Sequence, residues 1–132
     1  HSINEVIHEL KPNQIFIPHS ADVHTDHGIV HKAAVSSSKS FRHPYINRIL
    51  VYETLSETEF GLDRSNPFNP NLFVDISNYL EKKIELMQIY SSEISDFPFP
   101  RSIKSIESLA RYRGSTASYN AAEAFQILKS KE

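Results

Sequence analysis

The sequence predicts an α/β fold in which a parallel sheet is flanked by helices. Three observations carry this. Gln14-Ile15-Phe16-Ile17-Pro18 and Ile49-Leu50-Val51-Tyr52 are short apolar runs rich in strand formers and bounded by turn residues, as buried strands are. Between them Ile29, Val30, Ala33 and Ala34 form an apolar stripe at helical spacing. Strand, helix, strand is the order of a crossover unit, which joins parallel strands in the right-handed sense.

The remaining elements follow along the chain. Ile3, Val6, Ile7 and Leu10 recur at helical spacing, in a helix that reads as entered mid-course and is stopped by Lys11-Pro12-Asn13. His19 to Asp22 reads as a loop. Thr25 is the expected cap of the crossover helix, and Ser36-Ser37-Ser38 ends it. The second strand is expected within residues 46–53. The polar, turn-rich stretch 54–71 is long for a connection, and such loops are usually functional or mobile. Leu72-Phe73-Val74-Asp75-Ile76 predicts a short strand. Asp75 or Ser77 would cap a helix carrying Leu80, Ile84, Met87 and Tyr90. Phe97-Pro98-Phe99-Pro100 is a rigid break, and a further helix over 102–113 is expected to end at Gly114. Residues 121–128 predict a helical turn and then a strand. Two strong strands and two weak ones fall short of a complete doubly wound sheet, which uses about four to six. The expected architecture is therefore Rossmann-like, with the chain supplying the C-terminal part of a single domain.

Composition narrows the function. The chain has 132 residues, 39% of them hydrophobic, enough for one core. Fourteen Lys and Arg stand against 16 Asp and Glu, a formal charge of −2, which argues against nucleic acid as a partner. The absence of cysteine excludes a disulfide scaffold, a Cys-ligated zinc ribbon and a thiol nucleophile. No apolar run approaches the roughly 18–20 residues of a membrane span, and no secretory leader is visible, so a cytoplasmic protein is expected. The oddity is seven histidines, five of them between His8 and His31. His1 is given no role. Without cysteine, any transition-metal site must use imidazole and carboxylate.

The sharpest cluster is Asp22-Val23-His24-Thr25-Asp26-His27, directly after a predicted buried strand. Ligands of open α/β sheets bind beyond the carboxyl ends of strands, where this loop and Tyr52-Glu53 both fall. Histidines three apart at a helix start can face one side. A catalytic zinc takes about three protein ligands and leaves a place for water. A carboxylate on the second ring nitrogen of a histidine fixes its tautomer, and Asp26 is the expected partner of His24. His31 continues the spacing, so a free-standing His24, His27 and His31 site is an alternative. His8, His19, His31 and His43 otherwise read as ordinary surface or hydrogen-bonded histidines.

These residues resemble a known family. Pro12-Asn13-Gln14-Ile15-Phe16 followed by Asp22-Val23-His24-Thr25-Asp26-His27 is similar to the second signature of the LmbE-like, PIG-L-type de-N-acetylases. The similarity continues through Tyr52-Glu53, Phe73-Val74-Asp75-Ile76-Ser77, Ala110-Arg111-Tyr112-Arg113-Gly114 and Ala122-Glu123-Ala124-Phe125. The resemblance implies a zinc-dependent hydrolase that removes the acetyl group from an N-acetylglucosamine-type amino sugar. It implies a zinc ligand at His27, a catalytic histidine at His24 that Asp26 orients, and a pocket-lining residue at Asp22. Glu53, Arg111 and Arg113 are candidates for contacts to sugar hydroxyls. The family's first signature, a His-Pro-Asp-Asp-Glu-like run with two further zinc ligands and the catalytic base, has no counterpart here. His43-Pro44 is followed by Tyr45-Ile46 and cannot serve. The remaining zinc ligands are thus expected from a segment outside this chain, and the chain alone is expected to be inactive. Missing strands would expose a sheet edge, and exposed edges self-associate, so a homo-oligomer is a further expectation. The competing reading is a non-enzymatic sugar- or nucleotide-binding module.

Overall fold

A computed structural model describes residues 2–132, leaving His1 outside it. The elements run α1 (Ile3–Leu10), β1 (Gln14–Pro18), α2 (Thr25–Ser37), β2 (Arg48–Tyr52), β3 (Leu72–Asp75), α3 (Leu80–Ile89), α4 (Ile103–Thr116) and β4 (Ala122–Ser130), with one short 3-10 turn at Ser91–Glu93. The sheet order is β1-β2-β4-β3. The chain divides into two compact units, residues 2–71 with 125–132, and residues 72–124.

In the first unit β1 and β2 pair in parallel, from Gln14 opposite Arg48 to Pro18 opposite Tyr52. This is the crossover unit expected from the sequence, with α2 as its helix. β4 runs antiparallel to β2, with Tyr52 opposite Phe125, so the sheet is mixed rather than all parallel. An apolar pattern marks a strand but carries no direction, which is why the sequence did not reveal the reversal. The expected helical turn at 121 is absent, and β4 begins at Ala122. Ile7 of α1, Ile17 of β1, Ala34 of α2, and Ile46, Ile49 and Val51 around β2 form one buried cluster. Each of the isoleucine and valine side chains contributes about 1.5–3 kcal/mol on leaving water.

Two helix starts differ from expectation. Helix α1 is not entered mid-course. Ser2 and Glu5 form a reciprocal capping box, the Ser2 N–H donating to Glu5 Oε2 at 2.7 Å and the Glu5 N–H to Ser2 Oγ at 3.3 Å. Helix α2 is capped by His24 rather than Thr25. β1 lies at the end of the strand order, and its Phe16 is 51% exposed although its ring packs 5.3 Å from that of Phe125.

In the second unit Leu80, Ala110 and Ala121 form a smaller buried cluster, with Ile76 and Ile84 against it. Ser102 caps α4 by accepting from the Ser105 N–H at 3.1 Å. Asp75 and Ser77 do not cap α3. Instead Asp75 accepts from the Ser77 N–H and hydroxyl, closing a local turn. Gly114 does not stop α4, which continues to Thr116. A β-carbon there would lie 2.8 Å from the Ala121 Cα, so glycine serves close packing. No described helix is long and apolar enough to cross a membrane.

Candidate functional site

β1 ends at Pro18, and the loop that follows leads into the first turn of α2. That loop is tied down from several sides. The ring of buried His19 bonds through Nε2 to the Asn66 carbonyl at 3.0 Å, and Asn66 Nδ2 donates to Ser20 Oγ at 2.9 Å. The His31 Nδ1 sits 2.8 Å from the Pro18 carbonyl, an acceptor only, so it donates and ties α2 to the end of β1. His19 and His31 therefore act as struts between backbone segments.

The helix start gathers the cluster. His24 Nδ1 accepts the Asp26 backbone N–H at 3.3 Å, satisfying one of the orphan donors at the start of α2. An Nδ1 used as an acceptor leaves the ring proton of neutral His24 on Nε2. The rings of His24 and His27 stack with centroids 5.3 Å apart and planes 27° apart. Behind them, Asp22 Oδ2 lies 2.7 Å from His27 Nδ1, with the Asp22 side chain 0% and the His27 side chain 26% exposed. The other carboxylate oxygen of Asp22 accepts from Thr58 Oγ1 at 2.7 Å.

The carboxylate–imidazole pair expected from the sequence is thus present with other members. Asp26 was the expected orienting partner of His24, yet the bond between them runs through the Asp26 backbone, and Asp26 itself is exposed. Asp22 was expected to line a substrate pocket. It is buried, with one oxygen on His27 and the other on Thr58. The reason is local: with His24 at the cap, Asp26 falls in the exposed first turn, where a carboxylate suits the helix dipole. The spacing of Asp22 and His27 gave no hint of this contact, since the intervening loop has no regular period.

Tyr52 closes β2 and Glu53 follows it, and both are half-buried. Burial first, and the negative charge of Asp22 second, push the Tyr52 phenol above its ordinary range, so it stays a neutral hydroxyl. Thr58 is the residue that the sequence reading missed; an isolated threonine in a polar loop carries no signal. Arg113 lies on α4 in the second unit, its guanidinium 5.4 Å from the centre of the Tyr112 ring.

The described residues contain no group of three or more His, Cys, Asp or Glu side chains able to enclose a metal ion. The alternative site on His24, His27 and His31 is therefore not assembled among the described residues. His27, with its Nδ1 on a buried carboxylate, has the form of a metal-ligating histidine. It is a single histidine of that form, and the described residues do not by themselves fit a zinc ion.

No family model matches the sequence, and no curated protein matches it. Among solved structures the chain is similar to the conserved protein TT1542 from Thermus thermophilus, with a TM-score of 0.73 and 22% identity over 98% of this chain. It is also similar to the N,N'-diacetylchitobiose deacetylase from Pyrococcus horikoshii, with a TM-score of 0.65 and 15% identity over 96% of this chain. The chain spans 57% of the first and 49% of the second, about half the length of each. The likeness is one of fold: the mixed four-stranded sheet and its helices match part of these LmbE-like structures.

Proposed function

We propose that this chain is the C-terminal portion of a zinc-dependent hydrolase that removes the acetyl group from an N-acetylglucosamine-type amino sugar. The observation that carries the reading is the 2.7 Å bond from His27 Nδ1 to the fully buried Asp22 carboxylate. It leaves Nε2 as the nitrogen that His27 can offer. The fold shared with a chitobiose deacetylase supports the same reading.

Zinc would supply a polarised carbonyl and an activated water in the whole enzyme. Its other ligands are proposed to come from a segment outside this chain. The residues present have their own tasks. His24 is exposed and its Nδ1 accepts the Asp26 N–H, so its Nε2–H is proposed to donate a hydrogen bond to a developing oxyanion. Asp26 contributes its backbone N–H, which fixes the His24 ring. Glu53 and Arg113 are proposed to meet sugar hydroxyls.

The test uses the full-length protein with the remaining ligand segment present. His27→Ala is expected to lose bound zinc and acetate release together. His24→Ala is expected to keep zinc and to lose turnover by about 10²–10⁴-fold. Zinc content by elemental analysis and acetate released from N-acetylglucosamine substrates are the two measurements. Full activity in both variants would overturn the assignment.

A further inference from the structure

We propose that Thr58 is a positioning residue, which fixes the ring of His27 in its Nδ1–H form through a one-way chain of hydrogen bonds that starts at a backbone amide. The chain runs link by link. The Thr54 N–H donates to Thr58 Oγ1 at 2.8 Å. Thr58 Oγ1 lies 2.7 Å from Asp22 Oδ1, and Asp22 Oδ2 lies 2.7 Å from His27 Nδ1. A backbone N–H can only donate, so the first link fixes the direction of the second. Thr58 Oγ1 accepts that hydrogen bond and donates its own single proton to the Asp22 carboxylate. The carboxylate is an acceptor alone, so the proton between it and His27 belongs to Nδ1. Nε2 is left with its lone pair.

The threonine is held where this requires. The Glu57 and Thr58 N–H groups both donate to the Thr54 carbonyl, at 3.0 and 2.9 Å, which closes the turn. The Val23 N–H donates to the Glu57 carbonyl at 3.1 Å and ties the turn to the loop of Asp22. Gly61 lies so close to that loop that a β-carbon would stand 2.1 Å from the Ala21 carbonyl oxygen. The turn of the long loop and the Asp22 loop are therefore registered by a backbone bond, a side-chain bond and a close approach. Thr58 uses that register to hold the rotamer of a carboxylate that water does not reach.

The functional consequence rests on the proposed role of His27, but the ring form is measurable without it. In protein labelled with ¹⁵N-histidine, nitrogen–proton correlation spectra report which ring nitrogen carries the proton, and His27→Gln identifies the signal. The wild-type protein is expected to show His27 as Nδ1–H. Thr58→Val keeps the shape and removes the donor, and is expected to raise the Nε2–H to Nδ1–H ratio by on the order of tenfold. Thr58→Ala repeats the reading should valine disturb the turn. Thr58→Ser is expected to restore the wild-type spectrum. An unchanged His27 ring in both Val and Ala variants overturns the proposal, as does failure of serine to restore it. A shifted ring with undiminished zinc-dependent acetate release leaves the positioning role standing and removes the ligand role of His27.

Discussion

In the first unit a carboxylate with no solvent exposure, Asp22, is bonded through both oxygens to a histidine and a threonine. In the second unit the ion pairs Lys82–Glu85, Lys83–Glu123 and Arg111–Glu107 stand at the surface, each side chain between 38% and 64% exposed. Distances are alike, 2.7 to 2.9 Å throughout. Water makes the difference. An exposed pair that breaks is resolvated at once, so it contributes about 0–1 kcal/mol. A buried carboxylate that is removed leaves its donors facing a dry interior, at about 1–3 kcal/mol for each. Short contacts are thus weak evidence of importance, and burial decides which contact the molecule depends on.

The largest effect should follow removal of the buried member. Asp22→Ala strips the acceptor from His27 Nδ1–H and from Thr58 Oγ1–H, and is expected to lower unfolding stability by about 2–4 kcal/mol. Glu107→Ala, which breaks a contact of 2.8 Å on α4, is expected to cost less than about 0.5 kcal/mol beyond its change in helix propensity. Chemical denaturation of both variants under one condition checks the ratio, and equal losses would erase the contrast.

A smaller effect lies in the pH dependence of the same region. The Tyr52 phenol is raised above the ordinary value near 10 by burial and then by the charge of Asp22. The unfolded chain therefore loses this proton first as pH rises. The stability that neutral Tyr52 contributes is whole below about pH 10 and is lost as pH climbs toward the folded value. Tyr52→Phe should remove that part of the alkaline decline and leave the neutral region little altered. Denaturation midpoints measured near pH 8 and about pH 11 for both proteins give the difference. Parallel declines would show that Tyr52 titrates alike in folded and unfolded chains.

The same contrast explains what the sequence made legible. The crossover unit was readable because β1, α2 and β2 each carry an apolar pattern with its own period, and period is a local property. His24 and His27 were readable as a cluster because they sit three apart at a helix start. Four features escaped. The reversal of β4 depends on where a strand docks, not on its residues. The partner of His27 is Asp22 rather than a neighbour at helical spacing, because the helix begins one residue earlier than Thr25 suggests and turns Asp26 outward. Thr58 reaches Asp22 across 36 residues of chain, and only the folded loop makes that contact. The Ser2 and Glu5 box was a missed local signal, since serine followed three residues later by glutamate marks a helix start.

The smallest expected effect tests the surface side of the contrast most severely. Lys82 Nζ and Glu85 Oε2 are 2.7 Å apart, as close as Asp22 and His27. Three considerations make this pair weak. Both side chains are more than 60% exposed, so solvent screens them. The lysine precedes the glutamate along α3, the less favourable order with respect to the helix dipole. Holding two long side chains in one geometry also costs rotamer freedom. A double-mutant cycle of Lys82→Ala and Glu85→Ala should therefore give a coupling of no more than about 0.3 kcal/mol, shrinking further at about 1 M salt. A coupling above about 1 kcal/mol that survives salt would mean that distance, rather than burial, governs charged contacts in this protein. The weight placed on the Asp22 cluster would fall with it.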